Sequence, residues 1–490
     1  MKENRPWVIW LTIIAILLAG LGIYLYYNFF RQSKSELIEA IPTDAAFIFT
    51  LNDNKGFVSG TKEVTPYLNE LFAMDALPAY ETMRGKLPAG EYDLTVSGHV
   101  QDNAVSLLFN THADKAAFRR LLRALSIDPN NYTAFENNRI YTYGTNFKSV
   151  KFVYTNHIIS FSTDLELLKR AIVQHSHPKN LLSDKEFKKM YQLSEKNQKQ
   201  NWLIINATDY IPYLSTFLNG ETSKALAECL NPIGWTAFQL RFSGNGMYLS
   251  GYTLVSQPKD SCFDLYIQRT GNGSEITSLF PAKADWYTQL ETPKIRENNK
   301  LKTLQQADQF VELNPSEMGY FSLYTDSCSH RFAILLPDSS KNVFEVFYGN
   351  AAAADSARNA HPDGFFSIPF PLPQLLTTFA PDSATWFIEK ENALVFSDSK
   401  EVLKAYQSRM RSVGNLSQNR LYPFVNDVVA SSSLLNFVIF NEEGNAFWPE
   451  RLSEKGKASR FGKDLRIFSL SCETMDEKNG LLPVNLYLMF

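Results

Sequence analysis

The feature that most restricts the architecture is a phrase that returns. "SELIEAIPTDAAFIFTLN" spans Ser35–Asn52, and "SEITSLFPAKADWYTQLE" spans Ser274–Glu291. Ser, Glu, Pro, Ala and Leu recur in the same places, and Trp286 answers Phe47. Two further echoes follow in the same order. "IISFSTDLELLKRA" (Ile158–Ala171) is matched by "ALVFSDSKEVLKAY" (Ala393–Tyr406), and "WLIIN" from Trp202 by "FVIFN" from Phe437. The spacings are 239, 235 and 235 residues. Collinear echoes at near-constant spacing point to internal duplication, and so long a period belongs to a domain rather than a solenoid. A chain of 490 residues has room for two such domains. The expected repeats are 35–272 and 273–490, with the polar "QRTGNG" (Gln268–Gly273) at the boundary.

Local signals fill in each repeat. Thr163 stands three residues before Glu166, and Asp398 three before Glu401. Both have the form of a capping box that follows an apolar strand and opens an amphipathic helix. Leu165, Leu168 and Ile172 share one face of the first helix. Pro42 and Pro281 each end a short helix before strands at Ala45–Leu51 and Ala284–Leu290. Hairpins are expected around Gln101–Asn103 and Gly244–Gly246. "RIYTYGT", "KFVYTN" and "IISFS" read as successive strands, and "ADKAAFRRLLRALS" as a helix. The fold class expected is α+β: two tandem duplicated domains with largely antiparallel sheets and inserted helices, after one N-terminal transmembrane helix.

That first helix rests on Trp7–Phe30, which carries no charged residue and is mostly apolar. At 1.5 Å per residue it can cross a hydrocarbon core of about 30 Å. Trp7 and Trp10 lie near one end and Tyr24, Tyr26 and Tyr27 near the other, where amphipathic rings favour the interfaces. A cleaved signal peptide would have a shorter apolar core and a small-residue cleavage site. Here the run continues past Ala19, Gly20 and Gly22 to Phe30. The expectation is an uncleaved anchor over 1–34, with residues from 35 onward on the far side. The short head with Lys2 and Arg5 favours the cytoplasmic side for the N-terminus.

The anchor, "AIPTDAAFIF" from Ala40 and "IISFSTDLELLKRAI" from Ile158 resemble an uncharacterised family of membrane-anchored envelope proteins of Gram-negative bacteria, known only as a domain of unknown function. The resemblance implies an inner-membrane, single-pass protein with its bulk in the periplasm. It brings no activity and no catalytic residues.

Composition and motifs narrow the chemistry. Hydrophobic residues make up 44% and charged residues 20%, so the chain can bury substantial cores. A net charge of -3 shows no basic excess, which argues against a nucleic-acid partner. The Lys-rich run Lys185–Lys199 is interleaved with Asp184, Glu186 and Glu195 and reads as a solvated helix face. Four cysteines, Cys229, Cys262, Cys328 and Cys472, are too few for a disulfide framework. A Cys229–Cys262 bridge and buried free thiols both remain open.

His175 and His177 have a metal-compatible spacing but no third ligand nearby. Asp326, Cys328 and His330 invite a thiol-nucleophile reading, yet neighbours so close in one turn rarely adopt that geometry. "GFVSG" at Gly56 lacks the central serine of a nucleophile elbow, and "GNGSEI" at Gly271 lacks the Lys-Ser/Thr of a phosphate loop. No catalytic residue, metal or cofactor is therefore expected.

The oddest stretch is "GFFSIPFPLPQLLTTFAPDSATWF" (Gly364–Phe387). Phe365, Phe366, Phe370, Leu372 and Phe379 form a candidate apolar contact surface, against the plainer reading that they face the core. The functional expectation is a non-enzymatic scaffold or binding protein of the cell envelope, meeting an envelope protein or lipid. The alternative is a carrier or sensor of an apolar ligand in a cleft within or between the repeats. A hydrolase without a recognisable motif comes third.

Overall fold

The structure is a computed structural model that describes residues 34–51, 62–74, 93–144, 149–195, 200–231, 233–255, 276–291, 315–325, 328–337, 342–368, 386–426, 433–442, 447–476 and 478–490, with a few isolated positions between 80 and 87 and at 313. The chain divides into two compact units, each discontinuous in sequence. The first comprises Met1–Thr43, Leu77–Ser97 and Leu107–Lys188; the second comprises Asp44–Ala76, Gly98–Ser106 and Lys189–Phe490.

In chain order the strands are β1 (Phe47–Leu51), β2 (Leu94–Gln101), β3 (Ala104–His112), β4 (Thr133–Phe135), β5 (Asn138–Gly144), β6 (Ser149–Thr155), β7 (Ile158–Ser162), β8 (Trp202–Asn206), β9 (Ile233–Ser243) and β10 (Gly246–Val255). They continue as β11 (Trp286–Glu291), β12 (Glu317–Thr325), β13 (Cys328–Leu336), β14 (Phe366–Ser367), β15 (Trp386–Lys390), β16 (Ala393–Ser397), β17 (Leu435–Phe440), β18 (Ile467–Cys472) and β19 (Leu481–Met489). Helices interrupt this series, so the class is α+β with extensive antiparallel sheet.

In the first unit the antiparallel order is β4–β5–β6–β7–β3. Asn156 and His157 both have positive φ, 46° and 66°, which suits the tight turn between β6 and β7. Leu108, Ile140 and Val153 pack against Leu167, Leu168, Ala171 and Ile172 of the helix Leu165–Ser176. The helix Lys115–Ala124 is capped by Asp114, whose carboxylate accepts from Ala117 N–H, and it buries Phe118, Leu121 and Leu122. Strand β4 was not anticipated from the sequence; at three residues it is too short to show a period.

In the second unit the order is β14–β15–β16–β13–β12–β11–β17–β18–β19–β10–β9–β8–β1, antiparallel throughout. Tyr287, Phe321, Phe332, Val438 and Tyr487 build one core with Leu403 and Tyr406 of the helix Lys400–Ser412 and with Ile276 and Phe280. Phe321 and Phe332 stack at 4.6 Å, and the Tyr406 ring lies 5.6 and 5.7 Å from them. Its hydroxyl reaches out of the apolar layer to donate to Leu279 O at 2.9 Å, which satisfies a buried polar group.

A separate aromatic cluster joins Phe47 and Phe49 to Phe72, each 5.1 Å from its ring, and to Tyr210. A Cβ at Gly98 would sit 2.0 Å from the Phe47 ring, so only glycine fits beneath it. The Glu70 carboxylate accepts from Arg460 N–H at 2.8 Å and Phe461 N–H at 2.7 Å, satisfying the start of the helix Arg460–Asp464.

Two local expectations need correction. The cap of the helix Leu165–Ser176 is Asp164, not Thr163; its carboxylate accepts from Glu166 N–H (2.9 Å) and Leu167 N–H (3.2 Å). Likewise Ser399, not Asp398, caps the helix Lys400–Ser412, accepting from Val402 N–H at 3.2 Å. Both residues of each pair have cap chemistry, and Asp164 and Ser399 have the extended backbone of an N-cap. Glu166 does not reach back; it pairs with Lys169 at 2.7 Å.

Candidate functional site

The strand-to-helix corner at β16 places the most distinctive surface. Strand β16 is buried at all five positions, and Ser399 then starts the helix. Leu403 and Tyr406 turn inward with no measurable exposure. The outward stripe is Lys404, Gln407, Ser408, Arg411 and Ser412, at helical intervals of three and four. With Phe365 this stripe lines a surface groove of about 420 Å³. Among the described residues its lining carries two cations, three neutral hydrogen-bonding groups and no carboxylate.

Neighbouring charges are mostly engaged among themselves. Lys400 Nζ is paired with the Asp363 carboxylate, and that hydrogen bond is the main reason the carboxyl lies below its usual range. The same ammonium lies 5.6 Å above the Phe365 ring, and Lys404 Nζ lies 5.7 Å above it. Lys390 sits 5.5 Å over the Tyr406 ring. Its pKa is lowered, first by burial and also by the positive charge of Arg411, while Glu391 opposes the shift.

A second groove, about 350 Å³, is lined by Asn441, Glu442, Pro449, Leu452, Lys457 and Lys463, among others. Its charges are of both signs, so it favours no ligand class.

Sequence-predicted candidates fare as follows. Phe365 and Phe366 are buried, at 5% and 8% exposure. Phe366 packs edge-on against Phe344 at 4.7 Å, and Phe365 joins the core of the second unit, so these two face inward rather than forming a contact surface. Phe370, Leu372 and Phe379 lie outside the described residues, as do Trp7, Trp10, Tyr24, Tyr26 and Tyr27. Among the described residues no helix is long and apolar enough to cross a membrane. His177 folds back on its own chain, with its ring nitrogen accepting from Lys179 N–H at 3.1 Å. No group of three or more His, Cys, Asp or Glu that could hold a metal occurs among the described residues. Cys472 is buried. The side chains of Asp326 and Cys328, like the proposed Cys229–Cys262 pairing, lie outside the described residues.

Two buried acids escaped sequence reasoning: Glu317, whose carboxylate accepts from Ile276 N–H at 3.2 Å and from Gln289 Nε2 at 2.7 Å, and Asp285. Asp285 is 6% exposed, and Ser322 Oγ donates to it at 3.2 Å. Burial pushes its pKa up to about 6; Glu450 adds to the rise, while Ser322 and Arg409 oppose it. The groove was also missed, although its signal was present: opposite Leu403 and Tyr406 the helix carries Lys404 and Arg411 two turns apart, with its acid, Glu401, confined to the first turn.

No protein-family model and no curated protein sequence matches the chain. Among solved structures it is similar to "crystal form III of TP0453", at 12% identity and a TM-score of 0.25, covering 46% of this chain and 82% of that one. It is likewise similar to "crystal form I of TP0453", at 9% identity and a TM-score of 0.24, covering 44% and 77%. Neither fold nor function is carried over from these.

Proposed function

We propose that the chain is a non-enzymatic scaffold or binding protein of the cell envelope, tethered at the inner membrane by Trp7–Phe30 and built from two fused copies of one α+β repeat. The observation that carries the reading is how β10 meets β19. The two strands pair from Gly246↔Met489 to Leu254↔Leu481. At the spacing of 235 that relates Ser162 to Ser397, the counterpart of Ser250 is Asn485. Ser250 and Asn485 lie directly opposite each other, and Ser250 Oγ donates to Asn485 Oδ1 at 2.6 Å. On either side the contacts are reciprocal: Phe490 N–H donates to Asn245 O at 3.1 Å, and Val255 N–H donates to Gly480 O at 3.0 Å. A surface that pairs with its own copy about a two-fold axis produces this pattern, in which i meets j and j meets i.

A second contact supports the same axis. Leu218 and Leu452 form a bridge; Asn219 N–H donates to Arg451 O at 2.8 Å and Ser453 N–H to Phe217 O at 3.0 Å. These residues are related at a spacing of 234. Asn219 and Ser453 then cap matching helices, accepting from Thr222 N–H and Gly456 N–H. Equivalent registers recur elsewhere. Phe152 faces Phe161 as Phe387 faces Phe396, and Asn206 N–H donates to Ala46 O as Phe440 N–H donates to Asp285 O. The last pair sets β8 against β17 at 234 rather than the 235 suggested by "WLIIN" and "FVIFN".

A seam made of hydrogen-bonded sheet leaves no cleft at β10–β19, which favours a rigid platform over a carrier that encloses its ligand there. The test is gentle extraction from native membranes followed by mass spectrometry of co-purifying proteins and lipids. The scaffold reading expects a reproducible protein partner and retention in the membrane after alkaline carbonate washing. A stoichiometric bound lipid without a protein partner would favour the carrier, and recovery of a soluble chain lacking its first thirty residues would remove the tether.

A further inference from the structure

We infer that the groove along the helix Lys400–Ser412 is a binding site for a phosphate-type oxyanion, either free or carried on a lipid headgroup. This goes beyond the scaffold reading, which names no ligand. Lys404 and Arg411 stand two turns apart, about 10.5 Å along the axis, with Gln407 and Ser408 between them. Both cationic side chains are exposed and long enough to converge over that midpoint. The guanidinium offers a planar fork of donors and the ammonium a compact charge, a pairing suited to oxyanions.

The nearby acids are otherwise placed. Asp363 is engaged by Lys400, and Glu401 lies in the first turn of the helix and does not line the groove. Lys390 lies near Arg411, but Glu391 stands beside it and offsets its charge. An anion seated between them would be attracted by both cations, whereas a small neutral ligand would gain nothing from either charge.

The corresponding helix of the first repeat supplies an internal control. Its matching positions are Lys169, Ile172, Val173, Ser176 and His177. Lys169 is already paired with Glu166 at 2.7 Å, and Ser176 replaces the arginine. At these matching positions the second helix carries two cations and the first carries one, already paired.

The experiment uses the full-length chain in a non-ionic detergent and isothermal titration calorimetry with two probes, inorganic phosphate and glycerophosphoglycerol, the headgroup of an anionic phospholipid. One-to-one binding is expected for at least one probe, weakening as salt is raised. Tighter binding of phosphate assigns a free anion, and tighter binding of the phosphodiester assigns a headgroup. Lys404→Gln with Arg411→Gln should weaken binding about tenfold or more, equivalent to about 1.4 kcal/mol. Lys404→Arg with Arg411→Lys should retain most of it, and Lys169→Gln should leave it unchanged. Each single glutamine variant, at an exposed position, gives the same direction if the double variant folds poorly by circular dichroism. Absence of saturable binding to both probes, or binding that survives loss of both cations, overturns the inference.

Discussion

The two strand-to-helix corners, β7 into Leu165–Ser176 and β16 into Lys400–Ser412, share an inside and differ in their outside. Both strands are buried along their whole length, and Leu168 and Leu403 are fully buried at matching positions. Both helices start from a residue of cap chemistry one place beyond the expected one, Asp164 and Ser399. Their outer stripes have diverged, Val173 and Ser176 in one standing where the other has Ser408 and Arg411, and Gln407 at the groove stands where Ile172 is packed into the core. Exposed Val173 stands where Ser408 lines the groove. Packing constrains the inner face because a lost methyl leaves a void, while the outer face is free to acquire chemistry.

The largest expected effect tests the shared inside. Leu168→Ala and Leu403→Ala should each cost about 2–5 kcal/mol, read by urea denaturation, because both remove a fully buried side chain. A cost confined to one of them would break the equivalence of the corners.

Next comes a difference between the two proposed repeats. Asp285 occupies the place of Ala46, and burial raises its pKa from 3.8 to about 6. The folded state therefore holds this proton more tightly than the unfolded chain. The contribution to stability is fully present below about pH 4 and is lost as pH rises through about 6. Asp285→Asn should thus be more stable than the parent chain above pH 6, by on the order of 2 kcal/mol, with the gap closing toward pH 4. Thermal unfolding from pH 4 to pH 7.5 measures this, and a gap that does not vary with pH would remove the charge from the explanation.

Smaller effects separate the caps. Asp164→Ala and Ser399→Ala should each cost about 1 kcal/mol, while Thr163→Ala, whose hydroxyl is not the cap, should cost less than Asp164→Ala. The smallest effect on stability belongs to the groove: Lys404→Gln and Arg411→Gln should change it by less than about 0.5 kcal/mol, since both side chains are exposed. Any larger loss would mean that these cations support the fold rather than a ligand.

Much of the architecture was legible because local chemistry carries it. The opening phrase, the strand–helix corners and the hairpins at Asp102–Asn103 and Gly244–Asn245 announce themselves through apolar runs, caps and turn residues, and Asp102 and Asn103 do adopt positive φ. Cap position was misread by one residue because Thr163 and Asp164, and Asp398 and Ser399, are all competent, and backbone direction decides among them. The β10–β19 seam was illegible: nothing in a strand's own pattern says which distant strand lies beside it. Asp285 was missed because an acid beside a tryptophan in an apolar strand looks like a surface residue until the neighbouring Ser322 is placed. For Gly364–Phe387 the core-facing reading holds at Phe365 and Phe366, whose rings lie under the helix Lys400–Ser412 and against Phe344.

The alternation of the seam offers the most direct test. Val255 with Gly480 and Asn245 with Phe490 are hydrogen-bonded pairs, so Ser250 with Asn485, an odd number of steps from each, is a non-hydrogen-bonded pair. Such pairs bring their Cα atoms to about 4.5 Å, within disulfide range. Ser250→Cys with Asn485→Cys should therefore oxidise to an intramolecular bridge, mapped by peptide mass spectrometry, while Ser250→Cys with Pro483→Cys, two residues out of register, should stay largely reduced. Bridging of the displaced pair with the axial pair left open would show that the repeats do not meet at their own counterparts, and would contradict the two-fold account.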